Sequence, residues 1–254
     1  MSRFIIDHAI AYFLLLLSAT PMFAEEPATD ANLVTALDVS DSIMRHKEWL
    51  EVEGLATAVT SAAFLDAIAG GTHGRIGFAV FTWSSGGRPA SLVPWTMIET
   101  IDDARRVAIS LRRASKIDRS AWARHGNGSD MSAAAEHRTD ISAAIDFALD
   151  LIAAAPYRSP RSVINICANG DDNVGPGPRA ARDRTVAAGI VINALAMGPR
   201  KHIAAYFDRQ VRGGPGSFVM EVSAPEHVAA AMLDKLLRDL IAARPQAHLA
   251  APVT

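Results

Sequence analysis

The chain has 254 residues, half of them hydrophobic and one-fifth charged, with a formal net charge of -2; that is enough apolar material to bury a sizeable core in one domain, or at most two. So even a balance, with no Lys/Arg stripe interleaved with aromatics, argues against nucleic acid as a partner. A lone cysteine, Cys167, excludes an intrachain disulfide and any zinc site built on several thiolates.

In chain order, Arg3 precedes an apolar run from Ala9 to Ala19, and Met22-Phe23-Ala24 leads to Glu25-Glu26. This is the order of a secretory signal peptide. A retained anchor is the competing reading, but the run is shorter than the roughly 20 residues that span a bilayer, and Asp7 and His8 interrupt its extension. The expectation is a signal over residues 1–24, a periplasmic or secreted domain over 25–244, a loose tail over 245–254 and no stable membrane span.

Leu33 to Val39 reads as a short apolar strand, followed by a polar loop and a long helical stretch from about Arg45 to Ile68. Arg75 to Trp83 and Ser91 to Trp95 read as two strands joined across the turn Ser84 to Pro89, pairing as a hairpin. Helical periodicity then marks Ile101 to Ala114, Thr139 to Ala154, Arg179 to Gly189 and Pro225 to Ala243. Strands at Ser162 to Ala168, Ile190 to Met197 and Ser217 to Val222 fall between them. The alternation predicts an α/β fold with a mostly parallel sheet covered on both faces. Ser115 to Arg138 has no period and reads as a loop insertion near the functional end. Cys167, inside an apolar strand, reads as a buried, inert thiol.

Asp38-Val39-Ser40-Asp41-Ser42 stands where the first strand ends and the first helix begins. Alternate residues of an extended segment project to one side, so Asp38, Ser40 and Ser42 can converge on one point. A carboxylate and two hydroxyls are hard oxygen donors, suited to Mg²⁺, Mn²⁺ or Ca²⁺. The carboxyl ends of parallel strands are where open α/β sheets bind ligands. The plainer alternative has Ser40 or Ser42 capping the helix while Asp38 accepts loop amide hydrogen bonds.

On these residues the chain resembles the von Willebrand factor type A (vWA) fold from about Asn32 to Ala242. The metal-ion-dependent adhesion site (MIDAS) of that fold uses D-x-S-x-S, a threonine from a later loop and an aspartate after a central strand. Thr139, in Arg138-Thr139-Asp140-Ile141-Ser142, matches the threonine. Val163-Ile164-Asn165-Ile166, Asn169-Gly170-Asp171-Asp172-Asn173 and Gly213-Gly214-Pro215-Gly216-Ser217-Phe218 look more narrowly like an uncharacterised family of exported bacterial vWA-like proteins. The chain departs from the pattern at Asn169, where an aspartate is usual, and at Asp41, where glycine is usual. A neutral amide removes one negative charge from the site and should lower its affinity unless Asp171 or Asp172 compensates.

The resemblance implies a metal-dependent protein-binding module holding Mg²⁺ (or Mn²⁺ or Ca²⁺) on Asp38, Ser40, Ser42, Thr139 and Asn169, with Asp171 and Asp172 as weaker candidates. It also implies a partner protein whose carboxylate completes the coordination. Two alternatives stay open. One is a hydrolase in which the same ion activates water, with Asp41, Asp140, Asp171 or Asp172 as base; the other is a structural domain whose metal site has decayed. Gly213 to Gly216 lacks the phosphate-loop pattern and reads as a turn. His73, His125 and His137 lack metal-ligand spacing, and no G-x-S-x-G elbow supports a serine hydrolase.

Overall fold

The computed structural model describes residues 26–39, 45–83, 89–114 and 139–241, with 45–49 described by backbone alone. Strand β1 (Asn32–Asp38) is buried at every residue, as the apolar run requires. It pairs in parallel with β2 (Ile76–Trp83) on one side and β4 (Ser162–Ala168) on the other. Beyond β2 lies β3 (Ala90–Ile98), antiparallel, and beyond β4 lie β5 (Val191–Met197) and β6 (Val219–Val222), both parallel. The six-stranded order is β3-β2-β1-β4-β5-β6. The expected hairpin is thus β2–β3, and Pro94 within β3 sits on an edge strand, where a missing backbone donor is tolerated.

Side chains alternate across β1 and feed two cores. Leu33 and Leu37 face the layer containing α1 (Arg45–Val59), α2 (Ala62–Ala69), α3 (Ile101–Ala114) and α7 (Val228–Ile241). Val34 and Ala36 face α4 (Ile141–Ala153), α5 (Arg179–Ala187) and α6 (His202–Gln210). A period of two in the strand therefore sorts one residue to each layer. Among the described residues no single helix is long and apolar enough to cross a membrane.

Two expectations are corrected. The stretch from Arg45 to Ile68 is not one helix: the Thr60 hydroxyl donates to the Ala56 carbonyl (3.0 Å), and Ser61 Oγ accepts from Phe64 N–H (3.2 Å), capping α2. Small hydroxyl side chains compete for backbone groups in this way and end α1 before the apolar pattern runs out. The second is α6, a helix that the capping and periodicity signals do not predict. It has no side-chain N-cap, so its only signal was the stripe Ile203, Phe207, Val211, all buried. The Gly213–Gly216 stretch is a turn, with Gly214 at φ +88°, a conformation that favours glycine.

The buried face of α7 carries two charges. Lys235 and Asp239 are fully enclosed, 3.6 Å apart, and two sheet asparagines complete their shell. Asn165 Nδ2 and Asn193 Nδ2 donate to the two Asp239 oxygens at 2.8 and 2.7 Å, and Lys235 Nζ donates to Asn165 Oδ1. Asn193 Oδ1 accepts from Phe218 N–H at 2.9 Å, which ties the Gly-rich turn to the same network. Burial holds the Lys235 ammonium below its ordinary pKa, against the opposing pull of Asp239.

Candidate metal centre

The chain runs outward from β1 to β2 and β3, then returns to the opposite side of β1 to form β4. The β1/β4 boundary is therefore the switch point of the sheet, where a crevice opens beyond the carboxyl ends of the strands. Leu37 pairs with Cys167 in the register. One step further, Asp38 and Ala168 come level, and Asn169 follows immediately.

Asp38 is 0% exposed, so its carboxylate is held within the sheet edge and not in solvent. Thr139 arrives from the chain leading into α4 and is 4% exposed. Its hydroxyl lies 3.7 Å from where a Cβ on Gly170 would stand, beside Asn169. The loop after β4 is stitched to this approach. Thr139 N–H donates to Asn173 Oδ1 (2.7 Å), and Asn173 N–H donates to the Thr139 carbonyl (3.0 Å). Asp140 caps α4 by accepting from Ala143 N–H at 2.8 Å.

The two weaker candidates part company here. Asp172 uses both carboxylate oxygens on backbone amides, Oδ2 accepting from Ser142 N–H (3.1 Å) and Oδ1 from Val174 N–H (2.9 Å). Burial raises its pKa, with those amide bonds pulling the other way. Asp171 is half exposed, 3.7 Å from His202 Nε2, and its Oδ1 is buried without a hydrogen-bond partner among the described residues. Tyr206 backs both: burial first, then the charges of Asp172 and Asp171, push its phenol up to about 12. Ser40, Asp41 and Ser42 lie outside the described residues, as does Ser115 to Arg138.

Of the residues singled out from sequence, Asp38 and Asn169 thus lie at the carboxyl ends of the neighbouring strands β1 and β4, and the Thr139 hydroxyl lies beside Gly170. Oxygen donors of one carboxylate, one hydroxyl and one amide fit a hard cation, and the unsatisfied Asp171 oxygen adds acceptor capacity at the same loop. Among the described residues no three His, Cys, Asp or Glu side chains cluster as a metal site would; a hydroxyl- and amide-based donor set does not require such a cluster. A cavity of about 370 Å³ lined by Asn169 opens between Glu51 on α1, Met197 at the end of β5 and Val222 at the end of β6, with Arg200 also in its lining. The sequence reading missed Asn173 as a brace, Tyr206 as backing and Glu51 as a buried acid. Only Glu51 carried a signal, being polar on an otherwise apolar helix face.

The model of a family described as "Protein of unknown function (DUF1194)" matches residues 28–244. The chain belongs to this family. No curated protein sequence matches this DUF1194 chain. Among solved structures it is similar to proximal thread matrix protein 1 from the mussel byssus with a zinc-occupied MIDAS motif: TM-score 0.56 and 17% identity over 86% of this chain and 49% of that one. It is also similar to the pilus adhesin SpaC from Lactobacillus rhamnosus GG, with TM-score 0.54 and 12% identity, covering 85% of this chain and 31% of that one. A third likeness is to the TFIIH p34 N-terminal domain, with TM-score 0.51 and 16% identity, covering 81% and 97%. The DUF1194 chain spans about half the length of the mussel protein. At these identities the likeness establishes the fold, which is vWA-like.

Proposed function

We propose that this protein is an exported, metal-dependent protein-binding module. A divalent cation, Mg²⁺ or its neighbours in hardness Mn²⁺ and Ca²⁺, is held by Asp38, Ser40, Ser42, Thr139 and Asn169. What supports this reading is that Asp38 ends β1, Asn169 directly follows the neighbouring strand β4, and the Thr139 hydroxyl lies beside Gly170, all at a switch point where a ligand site is expected on topological grounds. When bound, the ion would offer a coordination position to a carboxylate of the partner. The adhesin and matrix protein among its structural neighbours favour binding over turnover. So does Asp172, whose two oxygens are engaged by backbone amides and are poorly placed to serve as a general base. Export follows in this reading from loss of residues 1–24, and Ser115 to Arg138, which leads directly into Thr139, tunes the choice of partner.

The test is calorimetric titration of the mature protein with Mg²⁺, Mn²⁺ and Ca²⁺, alongside Asp38→Ala. The wild type should bind at least one ion, and its melting temperature should rise as that ion exceeds its dissociation constant. Asp38→Ala, with an unchanged circular dichroism spectrum, should do neither. Equal binding by Asp38→Ala would return the loop to a helix-capping role, and turnover of generic ester or phosphate substrates would favour the hydrolase.

A further inference from the structure

We propose that the indole N–H of Trp83 is a hydrogen-bond donor of the ion site, holding an acceptor oxygen beside Asp38; the inference rests on the metal-site reading above.

Trp83 ends β2 and is 2% exposed. Its Nε1 is fully enclosed and has no hydrogen-bond partner among the described residues. An indole nitrogen can only donate, and a buried donor left unpaired loses its hydration with nothing in return. The other tryptophan whose side chain the structure describes is satisfied: Trp95 Nε1 donates to the Leu151 carbonyl at 3.0 Å. Native proteins rarely leave such groups unpaired, so an exception at a strand end points to an acceptor that belongs to what the site binds.

The sheet register says which site that is. Asp38 pairs with Trp83 across β1 and β2, and Val39 N–H donates to the Trp83 carbonyl at 2.9 Å, so the two strands are level to their last residues. Paired residues of neighbouring strands project to one side of the sheet, and alternate residues of a strand share that side. Ala36 and its partner Phe81 lie in the core layer that faces α4, as does Trp83. Asp38, two residues after Ala36, therefore projects to the same side, next to Trp83. Ile141, at the start of α4 and two residues after Thr139, belongs to that layer as well. The indole thus stands on the side of the sheet served by two of the proposed ligands. Its nitrogen lone pair is part of the ring's π system, so Trp83 does not bind the ion itself; it is a positioning residue that orients an oxygen near the ion.

The experiment compares wild type, Trp83→Phe and a protein carrying benzothienylalanine at position 83, in which sulfur replaces the N–H and the ring shape is kept. Each is titrated with Mg²⁺ and Ca²⁺ by calorimetry and melted in chelator, and the wild type labelled with nitrogen isotope in its tryptophans is followed by NMR. The indole signal that is absent from Trp83→Phe should move downfield as the wild type takes up ion, as a newly hydrogen-bonded proton does. Both substituted proteins should bind the ion about tenfold more weakly, the usual loss when a group that holds a metal ligand is removed. The benzothienylalanine protein should melt in chelator no lower than the wild type, since it loses only an unpaired donor. An unmoved Trp83 signal, or wild-type affinity in both substituted proteins, overturns the inference and leaves the ion site standing. A lower melting temperature in chelator with unchanged affinity assigns Trp83 to packing alone. No uptake of either ion by any of the three proteins removes the site and this inference together.

Discussion

Thr139 and Asn173 hold each other by two hydrogen bonds, the Thr139 amide donating to Asn173 Oδ1 and the Asn173 amide donating to the Thr139 carbonyl. This pair fixes the approach to α4 against the loop that follows Asn169 after β4. Asn173→Ala deletes one of the two bonds and leaves a partly buried amide donor behind. It should cost about 1–2 kcal/mol of stability by urea denaturation. Ion affinity should fall as well, because Thr139 loses its brace. Unchanged values in both measurements would show that the loops are held by other contacts.

Asn169→Asp places a carboxylate where the vWA pattern has one, next to a proposed hard cation. Affinity for Mg²⁺ or Mn²⁺ should rise about tenfold or more, since added ligand charge tightens oxygen-donor sites. In chelator the same variant should be no more stable than the wild type, and slightly less so if Asp38 is close enough to repel it. Calorimetry with and without ion separates the two effects. A weaker ion affinity would mean that Asn169 faces away from the cation.

Lys235→Met tests the buried network under α7. The substitution keeps volume and removes the ammonium facing Asp239, whose oxygens keep the amides of Asn165 and Asn193, with the Arg161 guanidinium as a more distant charge among the described residues. Breaking one side of a buried pair leaves the Asp239 charge held by two amides and the more distant Arg161, so the loss should be about 2–3 kcal/mol. The double variant Lys235→Met/Asp239→Leu should lose less than the sum of the two single changes, a coupling that a double-mutant cycle in urea measures. Additive losses would show that the pair contributes nothing as a pair.

Cys167 should report its burial in alkali. Its folded pKa is raised to about 12 from 9.0, chiefly by burial. Above pH 9 the unfolded chain therefore releases a proton that the native chain keeps. The stability contributed by the protonated thiol is complete below pH 9 and is lost as pH rises toward 12, at up to about 1.4 kcal/mol per pH unit. Cys167→Ala should show a shallower alkaline decline in urea midpoints from pH 9 to 10.5. In native wild type at pH 8, iodoacetamide should leave the thiol unmodified until denaturant is added; rapid native alkylation would contradict its place inside β4.

Much of the fold was legible because it is written in local periods. The apolar runs of β1 and β2 and the helical stripe from Ile141 announce strands and helices within short windows, and their β-α alternation implies a parallel sheet. The breaks were less legible. Ser61 ends α1 through its own hydroxyl, and α6 lacks a cap to mark its start, so an apolar stripe alone had to betray it.

For the site, the sequence by itself determined which donors are available: one carboxylate at Asp38, hydroxyls at Ser40, Ser42 and Thr139, and an amide at Asn169. It could not determine that β4 lies against β1, which brings Asn169 level with the end of β1. Nor could it tell Asp172, engaged by backbone amides from two segments, from Asp171, whose Oδ1 has no such partner. Only the tertiary structure decided these, and it alone revealed that Glu51 shares a cavity with Asn169. The physical reason is range: periodicity and capping act over a few residues along the chain, whereas strand order, burial of a charge and the choice of amide partners arise from contacts between segments far apart in sequence.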